Sequence, residues 1–110
     1  MWNRPTKKQL EKLPAMYSTE NIDVKDKVIR MHFFLGGCDW YAMEYSPEKE
    51  LFFGFAILNN DTLNAEWGYF SLSELMIQMK NGLEIDRDLY WKARPAREVE
   101  KISKAQGWSA

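Results

Sequence analysis

The stretch Glu66-Trp67-Gly68-Tyr69-Phe70-Ser71-Leu72-Ser73-Glu74-Leu75 constrains this chain most, because an aromatic strand runs into a helix with no spacer between them. Ser71 stands as the helix N-cap, and Glu74, three residues on, can reach back to the cap's backbone, so that two otherwise orphaned donors are satisfied as a capping box. Leu72, Leu75, Met76 and Met79 continue as an apolar stripe at helical spacing, and Asn81-Gly82 offers a left-handed stop. The pattern predicts a strand over 66–70 and a helix over 71–81. It is a folding signal, not a catalytic one.

Upstream, Thr6-Lys7-Lys8-Gln9 has the form of a second capping box, and Leu10 with Leu13 gives a short apolar stripe before Pro14, which predicts a short helix over 6–13. A polar loop follows to Asp26, with Glu20, Asp23 and Asp26 in solvent. From Val28 the apolar period changes to two, and strands Val28 to Leu35, Asp39 to Tyr45 and Glu50 to Leu58 form a meander over 28–58. With Gly36-Gly37 as a two-residue turn, Leu35 faces Cys38, Phe33 faces Trp40 and Met31 faces Ala42. With Ser46 to Lys49 as the next loop, Glu44 faces Leu51, Ala42 faces Phe53 and Trp40 faces Phe55.

That register gathers Ile29, Met31, Phe33, Trp40, Ala42, Leu51, Phe53, Phe55 and Ile57 on one core face, with Glu44 as its only charge. The other face mixes Arg30, His32, Phe34, Tyr41, Met43, Tyr45 and Phe52. Leu83 to Leu89 adds a short strand, Arg94-Pro95 breaks regular structure, and 96–106 reads as a C-terminal helix with Val99 and Ile102 inward, closed by Gly107. The expected fold class is α+β: a single small domain over 1–110, with an antiparallel meander sheet of about four or five strands covered by short helices.

Composition narrows the function classes. A chain of 110 residues with 15% aromatic content can bury an ordinary core without staples. No apolar run approaches the roughly 20 residues a bilayer span needs, so no membrane partner is expected. No secretory pattern follows Met1, which points to the cytoplasm. One cysteine, Cys38, leaves no intrachain disulfide, and one histidine, His32, leaves no familiar metal spacing, so neither metal nor cofactor is expected. Fifteen basic residues against sixteen acidic ones give no field for gripping a phosphate backbone, which disfavours nucleic acid as a partner.

The residues Leu13-Pro14, Tyr17-Ser18-Thr19-Glu20, Glu44-Tyr45, Leu51-Phe52-Phe53-Gly54, Glu66-Trp67-Gly68-Tyr69-Phe70-Ser71-Leu72 with Glu74-Leu75, and Asp86-Arg87-Asp88-Leu89-Tyr90-Trp91 occur in that order. In this the chain resembles a bacterial family called domain of unknown function 2958, from about Leu10 to Pro95. The Glu-Trp-Gly-Tyr-Phe-Ser block is the most specific part. The resemblance implies no assigned activity and no catalytic residue. It does imply an association with plasmids, conjugative elements and phage, and hence an accessory or anti-defence role.

Site candidates follow from residue type. Arg30, His32, Tyr41, Tyr45 and Phe52 on the mixed face are the expected binding set, since tyrosine and arginine are large amphipathic anchors at protein interfaces. They point to a noncatalytic module with a protein partner. The competing reading is a small hydrolase or transferase pocket with Glu44 or Glu66 as its carboxylate and Arg87 as its cation, flanked by Trp67, Tyr69 and Asp88. Asp86 and Asp88 share one side of a strand and can help hold a hard cation, although a solvated edge explains the same alternation. A single-strand nucleic-acid binder is the third reading, through bases stacked on the aromatic face. The oligomeric state is left open.

Overall fold

The computed structural model describes residues 3–77 and 85–108. Helix α1 is Lys7–Glu11, with the Thr6 hydroxyl accepting the Gln9 N–H at 3.2 Å and the Gln9 side chain accepting the Thr6 N–H at 2.8 Å. Strands β1 (Val28–Ile29), β2 (Met31–Leu35), β3 (Cys38–Ser46), β4 (Leu51–Ile57) and β5 (Glu66–Ser71) follow. Helix α2 (Leu72–Ile77) starts where β5 ends, and the Ser71 hydroxyl accepts the Glu74 N–H at 3.0 Å. After β6 (Asp86–Arg87) and β7 (Arg94–Pro95), a 3-10 turn over Ala96–Glu98 leads into helix α3 (Glu100–Gln106). The side chain of Met76, together with Met79, the Asn81-Gly82 stop and Leu83, lies outside the described residues.

The main sheet is antiparallel, ordered β5-β4-β3-β2-β6, with β1 and β7 as a separate two-stranded pair. The domain is single and α+β. The first hairpin has the expected register, Leu35 opposite Cys38 and Met31 opposite Ala42. Gly36 takes a left-handed φ of 55°, which a glycine adopts at no steric cost. The second register differs from expectation: Ser46 faces Leu51, Tyr45 faces Phe52 and Glu44 faces Phe53, and beyond a bulge Ala42 faces Gly54 and Tyr41 faces Phe55. Met43 is the extra residue. A bulge of this kind exchanges the faces of everything beyond it along the strand. Gly54 permits it, because a Cβ there would overlap the Tyr41 carbonyl oxygen.

The expected single core face is therefore divided. Met31, Phe33, Trp40 and Ala42 pack with Tyr45, Phe52 and Phe70 under α1 and α2, which contribute Leu10, Leu72 and Leu75. Ile29, Tyr41, Met43, Phe55 and Ile57 pack on the opposite face under Ala96, Val99 and Ile102. Both sides of the sheet are covered. Arg94-Pro95 does not simply break structure, since it pairs with Ile29 and Val28, and the expected C-terminal helix is split into the 3-10 turn and α3. Gly107 closes α3 at φ 70°, and Trp108 then stacks near Trp67 at a centroid distance of 6.5 Å. No helix of the described residues is long and apolar enough to cross a membrane.

Candidate functional site

The hairpin register sets His32 opposite Tyr41 and Phe34 opposite Asp39, so these four side chains share the face that α3 approaches. The His32 ring lies flat on Tyr41, with centroids 4.5 Å apart and planes 7° apart, and Trp91 closes in at 5.2 Å. Its Nε2 lies 2.7 Å from Asp39 Oδ1, while Lys101 of α3 donates to Asp39 Oδ2 at 2.9 Å. Burial pushes the Asp39 carboxyl up, but the hydrogen bonds from His32 and Lys101, with their charges, outweigh it and hold it below the usual carboxylate range. An ionised Asp39 accepts only, so the proton of this pair sits on Nε2.

His32 Nδ1 is buried and has no hydrogen-bond partner among the described residues, and Asp88 Oδ2 stands 3.7 Å from it. Asp88 is fixed by its backbone, whose N–H donates to the His32 carbonyl at 2.9 Å, and its Oδ1 accepts the Tyr90 N–H at 3.0 Å. The Leu89-Tyr90 turn that results stands over a cleft of about 490 Å³ floored by His32, Asp39 and Lys101. Phe34, Leu89 and Tyr90 are exposed at its rim, Tyr90 by 91%. Along the wall, Arg87 Nε donates to the Asn3 carbonyl at 2.9 Å, and the Asn3 amide donates to Asp86 at 2.8 Å and keeps that carboxyl below its ordinary value.

Glu44 forms a second polar centre further along β3. Its Oε1 accepts the Tyr17 N–H at 2.8 Å, its Oε2 accepts the Thr19 hydroxyl, and Lys27 Nζ stands 3.9 Å away. Lys27 also donates to Thr19 at 3.1 Å and lies 5.7 Å from the Phe53 ring. Every member is satisfied. The small hollow above, about 130 Å³, is roofed by Tyr17 and Tyr69, and the hydrogen bond that the Tyr69 phenol makes to Tyr17 pushes it up.

The expected binding set does not form one surface. Tyr41, Tyr45 and Phe52 are buried, and the bulge sends Tyr45 and Phe52 to the face opposite Tyr41 and His32. Arg30 is exposed away from them, and His32 alone reaches the cleft. The alternative pocket is also dispersed. Glu44 and Tyr69 share the small hollow, Glu66 lies exposed on the β5 edge, and Trp67 packs on Phe55 and donates to Gln106 at 2.9 Å. Arg87 and Asp88 belong to the opposite, β6 edge. Among the described residues no three His, Cys, Asp or Glu side chains stand together as a metal ion would need.

Asp39, Lys101, Thr19 and Lys27 were not among the sequence candidates. Asp39 was legible in principle, since the first hairpin's register places it diagonally across from His32. Lys101 and Lys27 carry no local signal, because they arrive from segments whose docking only the tertiary fold decides.

A family model described as "Protein of unknown function (DUF2958)" matches residues 5–105 of the chain. No curated protein and no solved structure matches.

Proposed function

The chain belongs to the DUF2958 family of proteins of unknown function, and from that premise we propose that it is a noncatalytic binding module that engages a protein partner through the cleft over His32 and Asp39. The observation that carries this reading is the rim: Phe34, Leu89 and Tyr90 stand exposed around a floor whose polar groups are held in fixed positions. Exposed aromatic and aliphatic anchors around ordered polar groups are the anatomy of a recognition surface. The resemblance noted in the sequence implies an association with plasmids, conjugative elements and phage, and in keeping with it we read the chain as an accessory protein of a mobile genetic element, with a host or element-encoded protein as partner and an anti-defence role.

Proton-transfer chemistry is less well served by the same groups. Asp39 is held below the usual carboxylate range, and burial pushes the Tyr41 phenol well above its ordinary value, so both are moved away from neutrality. No serine, threonine or cysteine among the described residues is hydrogen-bonded to His32. A nucleic-acid backbone is also poorly matched, because Asp39, Asp86 and Asp88 in the cleft outnumber Arg87 and Lys101.

The test is affinity capture from a bacterial lysate with wild type and a Phe34→Ala, Tyr90→Ala variant that circular dichroism shows to be folded. A partner held by wild type and lost by the variant is expected. A partner held equally by both, or none at all, overturns the reading.

A further inference from the structure

The main sheet has two outer edges, and the fold guards only one of them. β6 is two residues long and both are charged, Asp86 and Arg87, the short, charged form that keeps an edge from pairing with another chain. β5 runs for six residues, Glu66–Ser71, with no lysine, arginine, proline or bulge, and its one charge, Glu66, stands at its first position. The Leu72 N–H donates to the Glu50 carbonyl at 3.1 Å, and from that pair the bonding residues alternate. Phe70, Gly68 and Glu66 turn their backbone groups to β4, while those of Trp67 and Tyr69 point off the sheet. No segment of the described residues pairs with them. Gly68, between them, answers no need of its own chain, since its φ is not left-handed and a Cβ there would meet nothing within 4 Å. A glycine inside a strand weakens it, and it suits a place where another backbone comes close.

We infer that the β5 edge pairs with the β5 edge of a second copy of this chain, antiparallel across a two-fold axis at Gly68. In that register Trp67 and Tyr69 of each copy exchange backbone hydrogen bonds with Tyr69 and Trp67 of the other, and the two Gly68 residues face each other as the close, non-bonded pair. Tyr69, 52% exposed in the single chain, then stands across from an indole, an aromatic cross-strand pair made twice. The two Glu66 carboxylates fall at opposite ends of the joint, so like charges do not meet. Pairing consumes both β5 edges and leaves only the guarded β6 edges, so the assembly closes at two copies. The clefts over His32 then lie toward the two far ends of one continuous sheet. A joint of one strand from each copy is narrow, which places the dimer among weak associations, with a Kd between about 1 µM and 1 mM.

Sedimentation equilibrium of the full chain up to about 1 mM should show the average mass rising from 13.0 kDa toward twice that value. Gly68→Lys sets two ammonium groups face to face in the dimer but meets open space in the single chain. It should weaken self-association at least about tenfold while circular dichroism shows the fold kept. In a Cys38→Ser background, Gly68→Cys should form a disulfide dimer with oxidised glutathione faster than Leu63→Cys, whose position is 94% exposed, because a close, non-bonded pair lies within bridging distance. A wild type that stays monomeric at the highest concentration overturns the proposal. So does a dimer indifferent to Gly68→Lys, or bridging by Gly68→Cys no faster than by Leu63→Cys. A dimer lost with Phe34→Ala, Tyr90→Ala but kept with Gly68→Lys places self-association at the cleft, and a monomer from which Gly68→Lys releases a lysate partner gives the β5 edge to that partner's strand. Both overturn the second copy as occupant.

Discussion

Asp39 and Glu44 lie on one strand, on one face of the sheet, and are equally buried, yet their surroundings complete them in opposite ways. Glu44 is enclosed by the Tyr17 N–H, the Thr19 hydroxyl and the Lys27 ammonium, all from the loop before β1, and the hollow above it is too small for more than a few waters. It is a tie between loop and sheet. Asp39 is completed by His32 and Lys101, but in this second centre the other ring nitrogen of His32, Nδ1, is buried with no hydrogen-bond partner among the described residues. A buried polar network that is fully satisfied fixes structure, while one with an unpaired group costs stability and marks where something else can bind.

The change with the largest expected effect removes both centres at once. Gly54→Ala places a Cβ against the Tyr41 carbonyl, and the bulge that turns Glu44 toward Lys27 cannot form beside it. We expect a loss of more than about 5 kcal/mol, read as failure to give a cooperative urea transition. Glu44→Ala comes next. It leaves Lys27 buried without its carboxylate and the Tyr17 N–H without an acceptor, for an expected loss of about 3–5 kcal/mol in urea unfolding. Lys27→Met combined with Glu44→Gln should recover part of that loss, because no unpaired charge then remains. If the double variant is no better than Glu44→Ala, the closed centre is not held by charge pairing and the contrast with Asp39 fails.

The bulge also separates what the sequence disclosed from what it hid. Alternation and the Gly36-Gly37 turn were enough to align β2 with β3, because a two-residue hairpin fixes its own register. β3 and β4 were misaligned because an inserted Met43 has no compositional mark, and one extra residue exchanges the faces of Tyr45 and Phe52 with those of Glu44 and Phe53. Arg30, Tyr41, Tyr45 and Phe52 looked like a surface set only on the straight strand. The α+β class and the strand-to-helix junction at Ser71 were legible since capping is local chemistry. The cleft was not, as it joins β2 to the Asp88 turn and α3, which lie far from it along the chain.

Asp39→Asn tests the open centre more gently. At neutral pH it should cost about 1–3 kcal/mol, the value of hydrogen bonds made by an ionised group. Its stronger signature is in acid. The folded-state value of the Asp39 carboxyl lies below its unfolded value, so its contribution to stability is complete above the unfolded value and is lost as the pH falls through the folded one. The variant should therefore lose less stability than wild type across that acid window. Parallel curves for the two proteins would show that the carboxylate is not held by His32 and Lys101 as the geometry requires.

Tyr90→Ala is expected to change least in stability and most in what the comparison means. Tyr90 is 91% exposed, buries little against its own chain and contributes its backbone N–H, not its ring, to the Asp88 turn. Urea unfolding should move by no more than about 0.5 kcal/mol, as for a surface substitution away from caps and networks. Tyr17→Ala, at a position exposed by 58%, offers the matched case at the closed centre, and there the backbone N–H to Glu44 is likewise retained. If the two sites divide as their polar groups suggest, Tyr90→Ala weakens partner capture and Tyr17→Ala leaves it unchanged. Loss of capture with Tyr17→Ala alone would reverse the assignment, placing recognition over the satisfied carboxylate and leaving the unpaired Nδ1 as a cost of folding His32 against Tyr41.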